Sequence, residues 1–185
     1  MNKFLNIPNI LTLSRICLLP FFVGCFFINS KSGLTLSLII FVFCCITDYF
    51  DGYYARAFKQ TTKIGQMLDP LADKILVSIT ILLIVGLRLV STYTIIPAAI
   101  ILCREIIISG VRDATEFSGK NFKTSYLSKC KTATQMISLA LIILSNILDL
   151  DILLKIGETM FWGAAIIAVI SGFIYCKTHL FAKSS

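Results

Sequence analysis

Four aspartates fall within 26 residues at the end of the second apolar run of the chain: Asp48, Asp51, Asp69 and Asp73. Gly52, Ala55, Arg56 and Gly65 lie between them. On helical geometry Asp48 and Asp51, three apart, share a face, as do Asp69 and Asp73, four apart. Four like charges at a membrane boundary repel one another unless a cation sits among them. Carboxylate oxygens are the hard donors that Mg²⁺ or Mn²⁺ prefers, so the stretch reads as a divalent-metal site. The glycines and alanine on the same faces leave room for a ligand pressed against the backbone. A nucleotide diphosphate suits that space, because its oxygens can complete the metal shell, and Arg56 adds a fixed positive charge for phosphate. Pro70 disfavours helical geometry at Asp69, which could instead cap a helix beginning at Pro70. Paired carboxylates at helix ends are often only caps. Four of them at membrane depth, interleaved with glycines, point to a site, since ionisable groups there are costly.

The rest of the chain must position these acids. Its 185 residues are 57% apolar and only 15% charged, with a mean hydropathy of +0.87, which places it among integral membrane proteins of one helical domain, residues 1–185. Apolar runs at residues 10–28, 34–50, 71–90, 95–111, 134–150 and 159–176 each approach the ~20 residues that cross a bilayer. The expected fold is all-α, with six transmembrane helices and a short interfacial lead-in over residues 1–9, where Pro8 interrupts helicity. With both termini cytoplasmic, 14 of the 17 basic residues lie on the cytoplasmic side and only Lys31, Arg88 and Lys155 on the other. That orientation puts the aspartates at the cytoplasmic face of the cell membrane. The net charge of +7 then serves topology and anionic lipid, with no nucleic-acid partner expected. Seven cysteines, mostly within apolar runs and without a C-x-x-C pair, read as buried small hydrophobes.

The stretch 48–73 reads D-x2-D-G-x2-A-R-x8-G-x3-D-x3-D without a departure. It resembles the signature of the CDP-alcohol phosphatidyltransferases, membrane enzymes that move a phosphatidyl or similar group from a CDP-linked donor to an alcohol. N-I-P-N-I-L-T-L-S-R near the start, C-R-E-I-I-I-S-G-V-R at residues 103–112 and K-T-A-T-Q-M at 131–136 extend the similarity over most of the chain, toward the branch whose acceptor is sn-glycerol 3-phosphate. The resemblance implies that Asp48, Asp51 and Asp69 hold two divalent ions, Mg²⁺ or Mn²⁺, with Asp73 both a ligand and the general base. It implies that Gly52, Arg56 and Gly65 line the cytidine and diphosphate of CDP-diacylglycerol, with Thr62 a weaker candidate. Asn9 and Thr12 match a family position near the donor, against a plain N-cap role at the first span. The implied reaction gives phosphatidylglycerol phosphate and CMP.

A phosphorylated acceptor needs basic groups beside the acids. Arg104 and Glu105 lie inside an apolar run, Arg112 follows two turns later on the same helix, and Lys131 begins the fifth span. Arg104, Arg112 and Lys131 are the expected phosphate cradle, with Lys123 and Lys129 weaker; for Arg104 the alternative is a buried pair with Glu105 or a neighbouring helix. Asp149, Asp151 and Glu158 are expected merely to solvate a loop on the far side. Small-residue faces in the later spans suit close helix packing or a homodimer. Serine, inositol phosphate or phosphatidylglycerol would be other acceptors within the family. An ion-coupled transporter would need a path of acids rather than a cluster at one boundary, and a prenyl-type transferase would need D-D-x-x-D spacing, which is absent.

Overall fold

The computed structural model describes the backbone of residues 7–28, 30–58, 63–116 and 126–180, and the side chains of residues 13–28, 30–48, 71–111, 127 and 129–177. Within these residues all regular structure is helical: α1 (Ile7–Phe27), α2 (Lys31–Phe58), α3 (Lys63–Gly86), α4 (Ile95–Glu116), α5 (Tyr126–Leu148) and α6 (Asp151–Leu180). A short 3-10 turn, Thr92–Thr94, leads into α4.

Four stretches are long and apolar enough to cross a bilayer: Lys31–Asp48, Thr92–Val111, Lys129–Leu148 and Asp151–Lys177; α1 contributes the shorter apolar run Leu13–Phe27. Phe21, Ile39, Leu82, Ile106, Ile166 and Phe173 are all more than half exposed. Apolar side chains pointing outward from helix after helix are what hydrocarbon accepts and water does not. The protein is an all-α integral membrane protein of six helices.

Two boundaries differ from the sequence expectation, both at prolines. The lead-in expected over residues 1–9 ends earlier, because α1 already begins at Ile7 and takes in Pro8. Pro8 stands in the first turn, where backbone N–H groups lack helical partners anyway. Likewise α3 begins at Lys63 and runs through Pro70, so Asp69 lies within the helix and does not cap one. An interior proline removes one hydrogen bond, and the long run beyond it carries the helix across.

Packing joins α1 to α2 and α3, α2 to α5, and α6 to both α4 and α5. Phe22 of α1 stacks on Phe41 of α2 at 6.3 Å between ring centroids and meets Phe26 edge-on at 5.2 Å. On α6, Ala164, Ala165 and Ala168 are buried, as are Leu139, Ile142 and Ile143 of α5. At Gly157 any Cβ would come within 2.9 Å of Ile142 Cγ1, so only glycine allows this approach of α6 to α5. Much of the small-residue content of α6 is therefore used inside the chain.

The end of the bundle carrying the α1–α2, α3–α4 and α5–α6 connections is closed by local hydrogen bonds. Arg88 (φ 56°) and Asp149 (φ 52°) take the left-handed conformation just past α3 and α5, and the next amides, Leu89 and Leu150, reach back to the carbonyls of Ile84 and Ser145. Asn146 donates to the Leu89 carbonyl. Glu158 accepts from the Ser91 amide at 2.6 Å and from the Thr94 hydroxyl at 2.9 Å, and Lys31 pairs with Asp149. Asp149 and Glu158 thus bind specific partners, where the sequence suggested only solvation of a loop. All seven cysteines are free thiols.

Candidate active site

The opposite end is built around buried charge. Arg15 lies in the run I-L-T-L-S-R-I-C-L-L of α1, a helix that packs against both α2 and α3, and only 2% of it is exposed. A guanidinium so placed requires anions within reach. One nitrogen, Nη1, donates to Asp48 Oδ1 of α2 at 3.2 Å and to Asp73 Oδ1 of α3 at 2.8 Å. Two carboxylates 25 residues apart in sequence therefore converge on a single point, each about 30% exposed (32% and 28%) and so reachable from outside.

A second charged cluster joins α3, α4, α5 and α6. Lys131, buried near the start of α5, donates to Glu105 of α4, and Arg104 Nη1 lies 3.5 Å from the same Glu105 Oε1. Arg104 sends its other donors to α6: Nε to the Ala168 carbonyl at 3.3 Å and Nη2 to the Ser171 hydroxyl at 3.1 Å. Its stem crosses Gly172, where a Cβ would stand 3.4 Å from Arg104 Cγ. Lys74, next in sequence to Asp73, donates to Ser109 of α4 at 2.6 Å. The charges of Arg104 and Lys74 both act on Lys131. Three cations thus surround one carboxylate, and the surplus of positive charge beside the aspartates suits a phosphate dianion.

Of the residues singled out from sequence, the structure brings Asp48 together with Asp73, and Arg104 together with Lys131. Arg104 takes the alternative form, paired with Glu105 and anchored on α6, so two of its donor groups face a neighbouring helix. Asn9 and Thr12 on α1, Asp51, Gly52 and Arg56 on α2, Gly65 and Asp69 on α3, and Arg112 on α4 have helical backbone, but their side chains lie outside the described residues. Thr62 and Lys123 lie outside them altogether. Sequence reasoning overlooked Arg15 as a site residue, together with Lys74, Ser109 and Ser171. The signal for Arg15 was available: it is an ionisable residue within an apolar run, the same criterion that singled out Arg104.

Among the described residues no three potential ligands gather at one point, as is expected when only two of the four aspartate side chains belong to that set. The donor chemistry nevertheless fits a divalent ion. Two hard oxygens from different helices already converge on one cationic group, and they remain accessible from outside.

A helical membrane bundle with convergent carboxylates and an adjoining cationic cluster at one end is the frame of an enzyme handling anionic, membrane-bound substrates. The chain belongs to the CDP-alcohol phosphatidyltransferase family, whose model matches residues 5–170. It is similar to the CDP-diacylglycerol–glycerol-3-phosphate 3-phosphatidyltransferases of Rickettsia bellii (39% identical over 93% of this chain and 94% of the relative) and Rickettsia typhi (38% over 94% and 98%). The enzyme of that name from Pectobacterium atrosepticum is 43% identical over 72% of this chain and 74% of its own.

Proposed function

We propose that this protein transfers the phosphatidyl group of CDP-diacylglycerol to sn-glycerol 3-phosphate, giving phosphatidylglycerol phosphate and CMP in phospholipid biosynthesis. The observation that carries the reading is similarity over nearly the whole chain to enzymes named for that reaction, with the eight-position aspartate motif unbroken. The convergence of Asp48 and Asp73 supports it from the structure.

In this reading Asp48, Asp51, Asp69 and Asp73 hold two divalent ions, Mg²⁺ or Mn²⁺. Bound there, the ions supply neutralisation of the diphosphate and of the departing CMP. Gly52, Arg56, Gly65, Thr62, Asn9 and Thr12 form the donor site. Asp73 accepts the proton of the primary hydroxyl of the acceptor, whose oxygen attacks the β-phosphorus of the donor in line as the bond to CMP breaks. Lys131, Arg104 and Arg112 attract and orient the acceptor's phosphate. The cation surplus around Glu105 favours a phosphorylated acceptor over serine. Six spans, cytoplasmic termini, an active site facing the cytoplasm at the cell membrane, and a homodimer complete the proposal; the 14-to-3 division of basic residues supports the orientation.

The test is direct. Purified protein is supplied with CDP-diacylglycerol and, in turn, glycerol 3-phosphate, serine, inositol phosphate or phosphatidylglycerol, and both CMP and the lipid product are identified. Phosphatidylglycerol phosphate formed only with glycerol 3-phosphate is expected. CMP release with a different acceptor alone would reassign the substrate, and none with any acceptor would overturn the reaction.

A further inference from the structure

Arg15 is the most deeply buried charge described, and it is bound to the two carboxylates that the proposed function gives to divalent ions. An ion drawing on Asp48 Oδ1 and Asp73 Oδ1 must share those oxygens with a guanidinium or take them from it. The two cations also repel each other across a short distance in a low-dielectric setting. A guanidinium 2% exposed cannot then be left without an anion, because stranding a buried charge is strongly unfavourable. The anion that arrives at this point together with the ion is the diphosphate of the donor, and the planar guanidinium fork suits phosphate oxygens as well as it suits carboxylates.

We propose that Arg15 is an exchange cation: a positioning residue that holds Asp48 and Asp73 at a common point, yields them to the divalent ions, and turns to the nucleoside diphosphate. Its consequence is a coupling between two binding events. Ions alone bind weakly because Arg15 competes for their ligands; the diphosphate relieves that competition by giving Arg15 a new partner. This inference rests on the proposed metal and donor reading and adds to it a residue that the aspartate motif does not contain.

The test uses full-length protein in detergent, with Mn²⁺ and CDP as probes. Mn²⁺ binding is followed by electron paramagnetic resonance and CDP binding by calorimetry, each alone and then together. Arg15→Met should shift the two single-ligand affinities in opposite directions. Mn²⁺ alone binds tighter by roughly tenfold and CDP alone weaker by a similar factor, within the ~5–150-fold span usual for coupled sites. Arg15→Lys keeps the charge without the fork, so Mn²⁺ affinity should stay near that of the wild type while CDP affinity falls. If Arg15→Met is not recovered folded, the lysine variant decides the matter by that split. Loss of both affinities in step would make Arg15 a scaffold and overturn the exchange, as would no change in either. A wild-type protein that binds no Mn²⁺, with or without CDP, would overturn the metal reading itself, a failure distinguishable from the other two.

Discussion

The two ends of this bundle use charge in opposite ways. At the end holding the α1–α2, α3–α4 and α5–α6 connections, Lys31 and Asp149 pair in the open, at 60% and 71% side-chain exposure, and Glu158 caps backbone and hydroxyl donors. There the polar groups finish the helices. At the other end Arg15 and Lys131 are almost fully buried, and their anions come from other helices. Buried ion pairs add little net stability, because desolvation offsets their attraction. Folding alone therefore gives no reason to place them there, whereas binding anionic substrates at a membrane surface does. One end secures the fold and the other serves the reaction.

The comparison breaks most visibly at Asp73. Asp73→Asn preserves shape and one oxygen but removes the proton acceptor, so kcat should fall by ~10²–10⁴-fold. Mn²⁺ and CDP should still bind, which separates lost chemistry from a lost site. Turnover near wild type would remove Asp73 from that role and take with it the strongest contrast between the ends.

How much of this contrast was legible beforehand follows from the kind of signal each residue gives. Helix number, apolar runs and the aspartate spacing are local, periodic features, and they survive in the structure with shifts only at Pro8 and Pro70. Asp48 meeting Asp73 is also partly local, since one short connection separates α2 from α3. The third partner, Arg15, lies 33 residues before Asp48 and 58 before Asp73. Nothing in spacing reports such a contact; only the anomaly of a charge in an apolar run hints at it. Arg104 shows the converse. Its charge was conspicuous, but the surface that receives it, Ala168, Ser171 and Gly172, is made of small residues on α6 that carry no chemical signature. The left-handed residues Arg88 and Asp149 likewise gave no glycine by which to recognise their turns.

A smaller effect than that of Asp73 is expected at Glu105, and it is measured as stability. Glu105→Gln strands Lys131 in a buried position beside Arg104 and should lower unfolding stability in detergent by about 3–5 kcal/mol. Combining it with Lys131→Met should recover most of that loss, because two apolar or neutral groups need no counter-charge. The double variant should still lose affinity for glycerol 3-phosphate relative to CDP-diacylglycerol, seen as a rise in KM for the acceptor alone. Equal loss for both substrates would mean that the cluster is structural, and would make the two ends more alike than their burial suggests.

Next in size comes Glu158. Its carboxylate satisfies the Ser91 amide and the Thr94 hydroxyl at the start of the 3-10 turn and α4. Glu158→Ala removes a cap of the kind typically worth ~0.5–2 kcal/mol. Thermal unfolding should register that loss while kcat and both KM values stay within about twofold, because no group of the candidate site touches this turn.

The smallest effect is expected at Lys31, and it is the sharpest check that charge at the two ends differs in kind. Lys31 and Asp149 form an ion pair just as Arg15 and Asp73 do, but with both side chains largely in solvent. Water competes for each partner, salt screens the attraction, and two flexible side chains lose freedom to meet, so exposed pairs contribute ~0–1 kcal/mol. Lys31→Ala should therefore shift stability by less than 1 kcal/mol, and raising the salt concentration should shrink the difference further. Melting curves of the variant and the parent protein at low and high salt measure both quantities. A loss of several kcal/mol, insensitive to salt, would show that this pair is also held out of water, and the distinction between an end that finishes the fold and an end that carries the chemistry would no longer rest on burial.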